Sequence, residues 1–304
     1  MTTTNAVRAE EARPAETSWR TVEPLATCRA ALQRRPFLAR HPLGEHPLFT
    51  IEALTKVAEA ASQRHGDLWA DAGDLSLTDK WGTTPAPDMP IPQLIDRIET
   101  AGAWIVMKHV EVDPRYKEIL DGYEAFVRSV AAPEASARLT SPEMLVFMTS
   151  PRRKTPYHFD AEMNFIVQIH GAKDVWVCDP NDRSVTTERE IEEYYGKTIS
   201  AGTYKPHAEE VAQKFTLRPG DALHVPSHAA HWVQNHDSVS VTLSLNMEYS
   251  HWRCADVYFA NYHLRRLGLS PKPPGRAPLA DAAKGAAVGA LRVAKKTAQR
   301  ALGR

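Results

Sequence analysis

Short apolar runs alternate with polar residues and turn residues over about 142–250 of this 304-residue chain. Several runs end at Gly, Pro or Asp, and their lengths are typical of strands rather than helices. The predicted strands are Met144–Met148, Asn164–Ile169, Val175–Cys178, Ala222–Val225, His231–Asn235 and Val239–Met247. Strands this short and dense, with one helical insertion, predict a mainly β core built as a jelly-roll barrel or a sandwich.

Helical spacing of apolar residues marks the flanks of this core. Capping residues are recognisable in two places, because Asp113 precedes Pro114 and because Thr187 can form a capping box with Glu190. The predicted helices cover about 51–64, 93–100, 114–130, 187–196, 254–267 and 278–302. The apolar run Ala103–Val110 has the length of a strand.

These patterns divide the chain into five parts. We predict a disordered leader (1–17), a mixed helical and strand region that packs on the barrel (18–141), the barrel core (142–250), a helical extension (251–270) and a basic, Ala-rich C-terminal helix (271–304).

The charge balance and the cysteines narrow the class of protein. Lys plus Arg equals Asp plus Glu at 37 each, which argues against a specific nucleic-acid partner. No apolar run is long enough to be a transmembrane segment, and the N-terminus has no secretory signal. The three cysteines are widely spaced and form no CxxC pair. We therefore expect a cytoplasmic protein without a thiolate metal site.

His-x-Asp and His-x-Glu pairs occur four times in the sequence. The pairs that begin at His65 and His207 lie in polar, loop-like sequence, and the pair at His109 ends a strand without an evident partner ligand. All three are interpreted as solvated or structural. The pair His158 and Asp160 opens the strand-rich core. On a strand, residues two apart share a face, so the imidazole and the carboxylate can bind one ion. They supply two ligands of a facial triad, which leaves positions on Fe(II) for an organic acid and O₂.

A third ligand is expected from a distant strand on the opposite wall of the barrel. The segment Leu217–Asn235 offers His224, His228 and His231. His224 is also compatible with a core histidine, and His228 with a loop position. Spacing alone does not choose among the three.

Two segments resemble a known family. The stretch TPYHFDAEMNFIVQIHGAK, from Thr155 to Lys173, resembles the core of the Jumonji C cupins. Within them it is most similar to the branch of the asparaginyl hydroxylase that inhibits hypoxia-inducible factor. The stretch Pro219–His231 resembles the second metal block of that family. The resemblance covers about 142–250 and implies a double-stranded β-helix (jelly-roll) barrel with flanking helices.

The resemblance also implies a ligand set. It places iron on His158, Asp160 and His231, and thus selects His231 over His224 and His228.

The resemblance further implies binding residues around the metal. It assigns Thr155 and Lys173 to 2-oxoglutarate, and it makes Asn164 and Asn246 active-site asparagines. We expect Gly171 to turn the chain, so that Lys173 starts a strand beside that of the first two ligands. A lysine inside a barrel is costly unless it meets an anion. The alternatives are a solvent-facing turn lysine and, for Asn246, a half-exposed strand whose polar face is in water.

Two departures from the family pattern concern the walls of the site. The early strand on which the family has a tyrosine that contacts 2-oxoglutarate carries Trp104 instead. Ala229 and Ala230 stand where aromatic residues are typical, and we expect them to alter the wall near the metal.

The expected function is that of an Fe(II)- and 2-oxoglutarate-dependent dioxygenase, a hydroxylase that uses O₂ and acts on a small molecule or a protein side chain. The alternative is a metal-binding cupin-like regulator or binding protein without oxygenase activity.

Residues 271–304 carry eight Lys or Arg against one Asp, a net charge of +7. We expect weak contact with an anionic surface through 278–302, or a homodimer contact; the alternative is a solvated terminal helix.

Overall fold

Two antiparallel sheets form the centre of the protein. The computed structural model describes residues 17–80, 86–197, 202–249 and 252–301, so that nearly all of the predicted leader lies outside the described residues. The strands are β1 (Arg20–Thr21), β2 (Phe37–Arg40), β3 (Leu68–Ala72), β4 (Ala103–Met107), β5 (Leu139–Thr149), β6 (Lys154–His158), β7 (Met163–His170), β8 (Lys173–Val177), β9 (Gln213–Leu217), β10 (Asp221–Val225), β11 (His231–Asn235) and β12 (Ser240–Tyr249).

The order of the strands identifies the fold. The large sheet has the order β1-β2-β10-β7-β12-β5-β4-β3, and the small sheet has the order β6-β11-β8-β9. Strands that are neighbours in space are therefore mostly distant in sequence, as in a double-stranded β-helix. The predicted fold class, a mainly β jelly-roll barrel with flanking helices, is confirmed.

Helices cover the outside of the large sheet, and two more come after the last barrel strand in the sequence. They are α1 (Leu25–Ala31), α2 (Ile51–Ser62), α3 (Ile91–Asp96), α4 (Pro114–Val130), α5 (Pro133–Ser136), α6 (Glu188–Lys197), α7 (Ala208–Val211), α8 (Trp252–Arg266) and α9 (Pro278–Ala301). Both predicted caps form. The Asp113 carboxylate accepts from the Arg115 N–H at 2.9 Å. Thr187 and Glu190 exchange side-chain and backbone hydrogen bonds at 2.8 and 3.2 Å.

β12 shows how the two faces of the large sheet differ. Val241, Leu243 and Leu245 belong to the main apolar core, which α4 also enters. The hydroxyl of Tyr123 on α4 donates to the Leu245 carbonyl at 2.9 Å. The intervening polar residues are also buried, because they point into the barrel; Thr242 is 4% exposed. A polar face in water is therefore the wrong interpretation of this strand.

Within the described ranges, no helix combines the length and the apolar content that crossing a bilayer requires.

Candidate metal centre and cavity

His158, Asp160 and His231 meet at one end of the small sheet. The two histidines lie directly opposite each other on β6 and β11, with ring centroids 4.2 Å apart. Oδ2 of Asp160 is 4.0 Å from Nε2 of His158 and 3.8 Å from Nε2 of His231. Among the described residues, this is the one group of three or more His, Cys, Asp or Glu side chains whose potential ligand atoms all lie within 4.8 Å of one another. Two imidazole nitrogens and one carboxylate oxygen are the donor set of a facial triad, so the residues fit such a metal.

Backbone carbonyls fix both imidazoles. Nδ1 of His158 is 2.8 Å from the Pro156 carbonyl, and Nδ1 of His231 is 2.9 Å from the Ala229 carbonyl. Because a carbonyl oxygen only accepts, each Nδ1 must carry the proton. The lone pair of a neutral ring is then on Nε2, which faces the partner histidine and Asp160. This outer contact is the usual way in which proteins orient a metal-binding histidine.

Burial also favours the metal-binding form of His231. The ring is 3% exposed, and burial, followed by the neighbouring His158, lowers the pKa of His231. A neutral ring is the form that can donate a lone pair to a metal.

The two competing histidines have other surroundings. His224 is a core residue whose ring stacks on Phe37 at 4.7 Å and accepts from the Gln33 N–H at 3.3 Å. His228 lies in the loop before β11, and its Nε2 is 3.0 Å from the Tyr195 hydroxyl. The interpretation of His224 as a core histidine is therefore confirmed.

The arrangement of the strands differs from two expectations. His231 is on the strand adjacent to β6, in the same sheet, and not on the opposite wall. Lys173 begins β8, which pairs with β11 and β9 rather than with β6. Both differences have the same cause. In the small sheet β11 lies between β6 and β8, whereas β7, which separates these two strands in the sequence, belongs to the large sheet.

A cavity of about 150 Å³ extends from the triad into the barrel. Its lining includes the triad and the other predicted site residues, Thr155, Asn164, Lys173 and Asn246. The structure thus brings all seven predicted residues to one cavity. Pockets for drug-sized ligands measure about 300–1,000 Å³, so this cavity suits a smaller molecule.

Lys173 is the most strongly perturbed cation of the cavity. It is 5% exposed, and among the described residues no carboxylate or hydrogen-bond acceptor pairs with its ammonium group. Burial lowers the pKa of Lys173 to about 7. The alternative of a solvent-facing lysine is therefore wrong. Burial of a charged ammonium group is costly without a paired anion, so that an anionic ligand would stabilise Lys173.

The two asparagines lie on adjacent strands. Asn164 on β7 and Asn246 on β12 are directly opposite each other. Oδ1 of Asn164 is buried without a hydrogen-bond partner among the described residues, whereas Oδ1 of Asn246 accepts from the Ser244 hydroxyl at 2.9 Å. An unpartnered amide oxygen in a cavity is free to accept a hydrogen bond from a ligand.

The residues that depart from the family pattern lie in different places. Trp104 on β4 does line the cavity. Ala229 and Ala230 are fully buried and are not among the residues that line the cavity. Ala229 packs with Ile166 and Val233, which do line it, so that its effect on the wall near the metal stays a prediction.

Further polar residues line the cavity, and no sequence pattern singles out three of them. These three are Arg153, Glu162 and Asn235. Burial and the nearby Asp160 raise the pKa of Glu162. Arg153 forms a buried ion pair with Asp71 on β3. Arg153 immediately precedes β6, and nothing in its own sequence segment distinguishes it from a surface arginine.

A family model for the cupin-like domain matches residues 83–251, more than half of the chain. The chain belongs to the cupin-like domain family.

Solved structures with the same fold as this cupin-like domain include the ribosomal oxygenase YcfD from Escherichia coli. One, in complex with cobalt and 2-oxoglutarate, is 15% identical and aligns with a TM-score of 0.51 over 86% of this chain and 62% of that chain. Another YcfD structure is 14% identical, with a TM-score of 0.51 over 88% of this chain and 66% of the other. In both alignments the cupin-like chain spans less than two thirds of the YcfD chain. At this identity the likeness shows a shared fold. None of the curated proteins matches the sequence significantly.

Proposed function

We propose that this cupin-like domain is an Fe(II)- and 2-oxoglutarate-dependent oxygenase, a hydroxylase of the Jumonji C type. One observation carries the proposal: the cavity that holds the His158, Asp160 and His231 group also holds Lys173, a buried cation without an anion. A metal that binds one end of a small diacid and a cation that binds the other are what such a cosubstrate needs.

Each part of the chain has a defined task in this proposal. His158, Asp160 and His231 hold the metal, and the carbonyls behind the two rings keep Nε2 directed at it. Lys173 and the Thr155 hydroxyl bind the distal carboxylate of 2-oxoglutarate. When iron is bound, it supplies the O₂ chemistry that couples decarboxylation of 2-oxoglutarate to hydroxylation of a C–H bond. The barrel walls orient the reactants and exclude water.

Asn164 and Asn246 support a finer placement. Their positions on adjacent strands beside the triad are consistent with the active-site asparagines of the asparaginyl hydroxylase branch. We therefore propose kinship with that branch. The substrate is proposed to be a small molecule or a protein side chain.

We also propose a peripheral role for α9. Its Arg292 pairs with the buried Asp256 of α8 at 2.5 Å, while Leu279 and Leu291 are 91% and 60% exposed. The helix is thus anchored through Arg292, and Lys295, about one turn further along the same face, is exposed. This arrangement supports a weak contact with an anionic surface or with a second copy of the chain.

We further propose a cytoplasmic location, which the free cysteines support.

The test is metal-dependent binding and turnover of 2-oxoglutarate. Calorimetry without O₂ should show 2-oxoglutarate binding to the Fe(II)-loaded protein and little binding to chelator-treated protein. Succinate should then appear when O₂ is admitted. Mass spectrometry of a cell extract treated with the loaded enzyme should find products that have gained one oxygen. Metal binding without any binding of 2-oxoglutarate would support a cupin-like regulator instead.

A further inference from the structure

Arg153 contributes a second buried cation to the cavity. Its side chain is 3% exposed and lines the same cavity as Lys173. One nitrogen, Nη2, donates to Asp71. Nε and Nη1 are buried and have no hydrogen-bond partner among the described residues. Since a guanidinium offers five N–H donors, much of the bonding capacity of Arg153 is unused.

The strand register places this arginine at the end of the sheet that is remote from the triad. His231, at one end of β11, lies opposite His158. Asn235, at the other end, lies opposite Lys173 on β8 and donates its backbone N–H to the Arg153 carbonyl at 2.9 Å. The four steps from His231 to Asn235 span about 13 Å at about 3.3 Å per residue. Arg153 and Lys173 therefore share the inner end of the cavity.

At this inner end Lys173 is without an anion. Asp71 pairs with Arg153, and the exposed Asp74 also acts on that guanidinium, but among the described residues no carboxylate pairs with the Lys173 ammonium. One carboxylate would supply that anion and could also accept from the spare N–H groups of Arg153. Asp71 lies opposite Trp104 in the sheet, so the arginine is bound beside the residue that replaces the expected tyrosine.

We propose that Arg153 is a second anchor for the distal carboxylate of 2-oxoglutarate and donates to it from nitrogens that Asp71 leaves unused, an inference that rests on the proposed function. Arg153 is then a specificity-determining residue. It favours a five-carbon keto-diacid over 2-oxopentanoate, which has the same chain length and the same keto-acid end but a methyl group in place of the distal carboxylate.

The test compares the binding of the two keto acids by calorimetry, with Fe(II)-loaded protein and without O₂. Arg153→Gln should weaken 2-oxoglutarate binding at least about tenfold and change 2-oxopentanoate binding less than about twofold. Arg152→Gln is the matched control, since the Arg152 side chain is 79% exposed and pairs with Asp237 on the surface. It should change neither affinity.

Two more variants separate binding from folding. Arg153→Gln removes the guanidinium that pairs with the buried Asp71 carboxylate, which is destabilising. The double variant Asp71→Asn/Arg153→Gln removes both charges and should show the same selective loss. Arg153→Lys keeps a charge for Asp71 but has no spare N–H fork, and it should also lose affinity for the diacid. Thermal unfolding of each variant verifies the fold.

The outcomes distinguish this inference from the function on which it rests. If the wild-type protein prefers 2-oxoglutarate and the Arg153 variants keep that preference, or weaken both ligands equally, the role of Arg153 is wrong and the proposed function stands. If the metal-loaded wild-type protein binds neither keto acid, both are wrong.

Discussion

The two ends of the cavity are built on different principles. At the triad end, each imidazole is locked by a carbonyl two residues away, and both rings are ready to bind a metal. At the inner end, Arg153 and Lys173 are both buried; Asp71 pairs with Arg153, and among the described residues no carboxylate pairs with Lys173. The triad end is therefore ordered by its own chain, whereas the inner end gains its last favourable interaction only when an anion binds.

This difference separates two kinds of defect. Damage at the triad end should abolish metal binding and, with it, everything that follows. Damage at the inner end should leave metal binding intact and weaken only the cosubstrate. The following predictions test this separation.

The largest effect is expected at the triad. Asp160→Ala and His231→Ala should each reduce Fe(II) binding, measured by calorimetry, and bring 2-oxoglutarate turnover down to background, because two ligands hold the metal poorly. His228→Ala is the matched control, since it removes a nearby imidazole that faces Tyr195 instead. It should keep substantial turnover. A reversed order of the two histidine variants would contradict the ligand set.

A smaller, selective effect is expected at Lys173. Lys173→Ala should raise the concentration of 2-oxoglutarate needed for half-maximal turnover at least about tenfold, since a charge-assisted hydrogen bond contributes about 1.5–3 kcal/mol. Fe(II) affinity should not change. Lys214→Ala, on the outer side of the same sheet, is the control. An equal loss of metal binding would show that the two ends are not independent.

A pH effect is expected from the same residue. Because burial lowers the pKa of Lys173 to about 7, most of this side chain is neutral at pH 8.5 and protonated at pH 6.5 in the ligand-free protein. The carboxylate needs the charged form, so 2-oxoglutarate affinity should fall as pH rises above 7, by at most about tenfold per unit. Calorimetry over this range measures the slope. An affinity that is flat up to pH 9 would contradict the role of Lys173.

The smallest effect is expected from the tail. Truncation after Ser270 removes α9, which contacts α8 and does not line the cavity. Turnover of 2-oxoglutarate should stay within a few-fold of the full chain, whereas retention on anionic vesicles at low salt should fall. A truncated protein that fails to bind iron would show that α9 is needed for the folded core.

The sequence predicted well what depends on local patterns. The alternation along β12, the apolar run of β7 and the caps at Asp113 and Thr187 each depend on residues a few positions apart, and the structure has them where they were expected. β9 (Gln213–Leu217) was missed because its strand is short and largely polar.

Relations between distant segments could not be predicted in the same way. The insertion of β11 between β6 and β8 depends on which strands pair, and no local pattern encodes this. Arg153 and Asp71 are 82 positions apart, and neither residue stands out in its own segment. The resemblance supplied the triad, since spacing left three histidines open, but it carried no information on a cation that its motifs do not include.

The rigid imidazoles of the triad have a consequence for metal supply. On the proposed ligand set, two nitrogens and one oxygen bind divalent ions with affinities that rise from manganese through iron and cobalt to nickel and copper. A site formed in advance by its own backbone has little means to reject the tighter-binding competitors by shape. The fraction of sites loaded with iron would then depend on the relative concentrations of free metals in the cell. Protein purified on a nickel column would contain nickel in part of its sites.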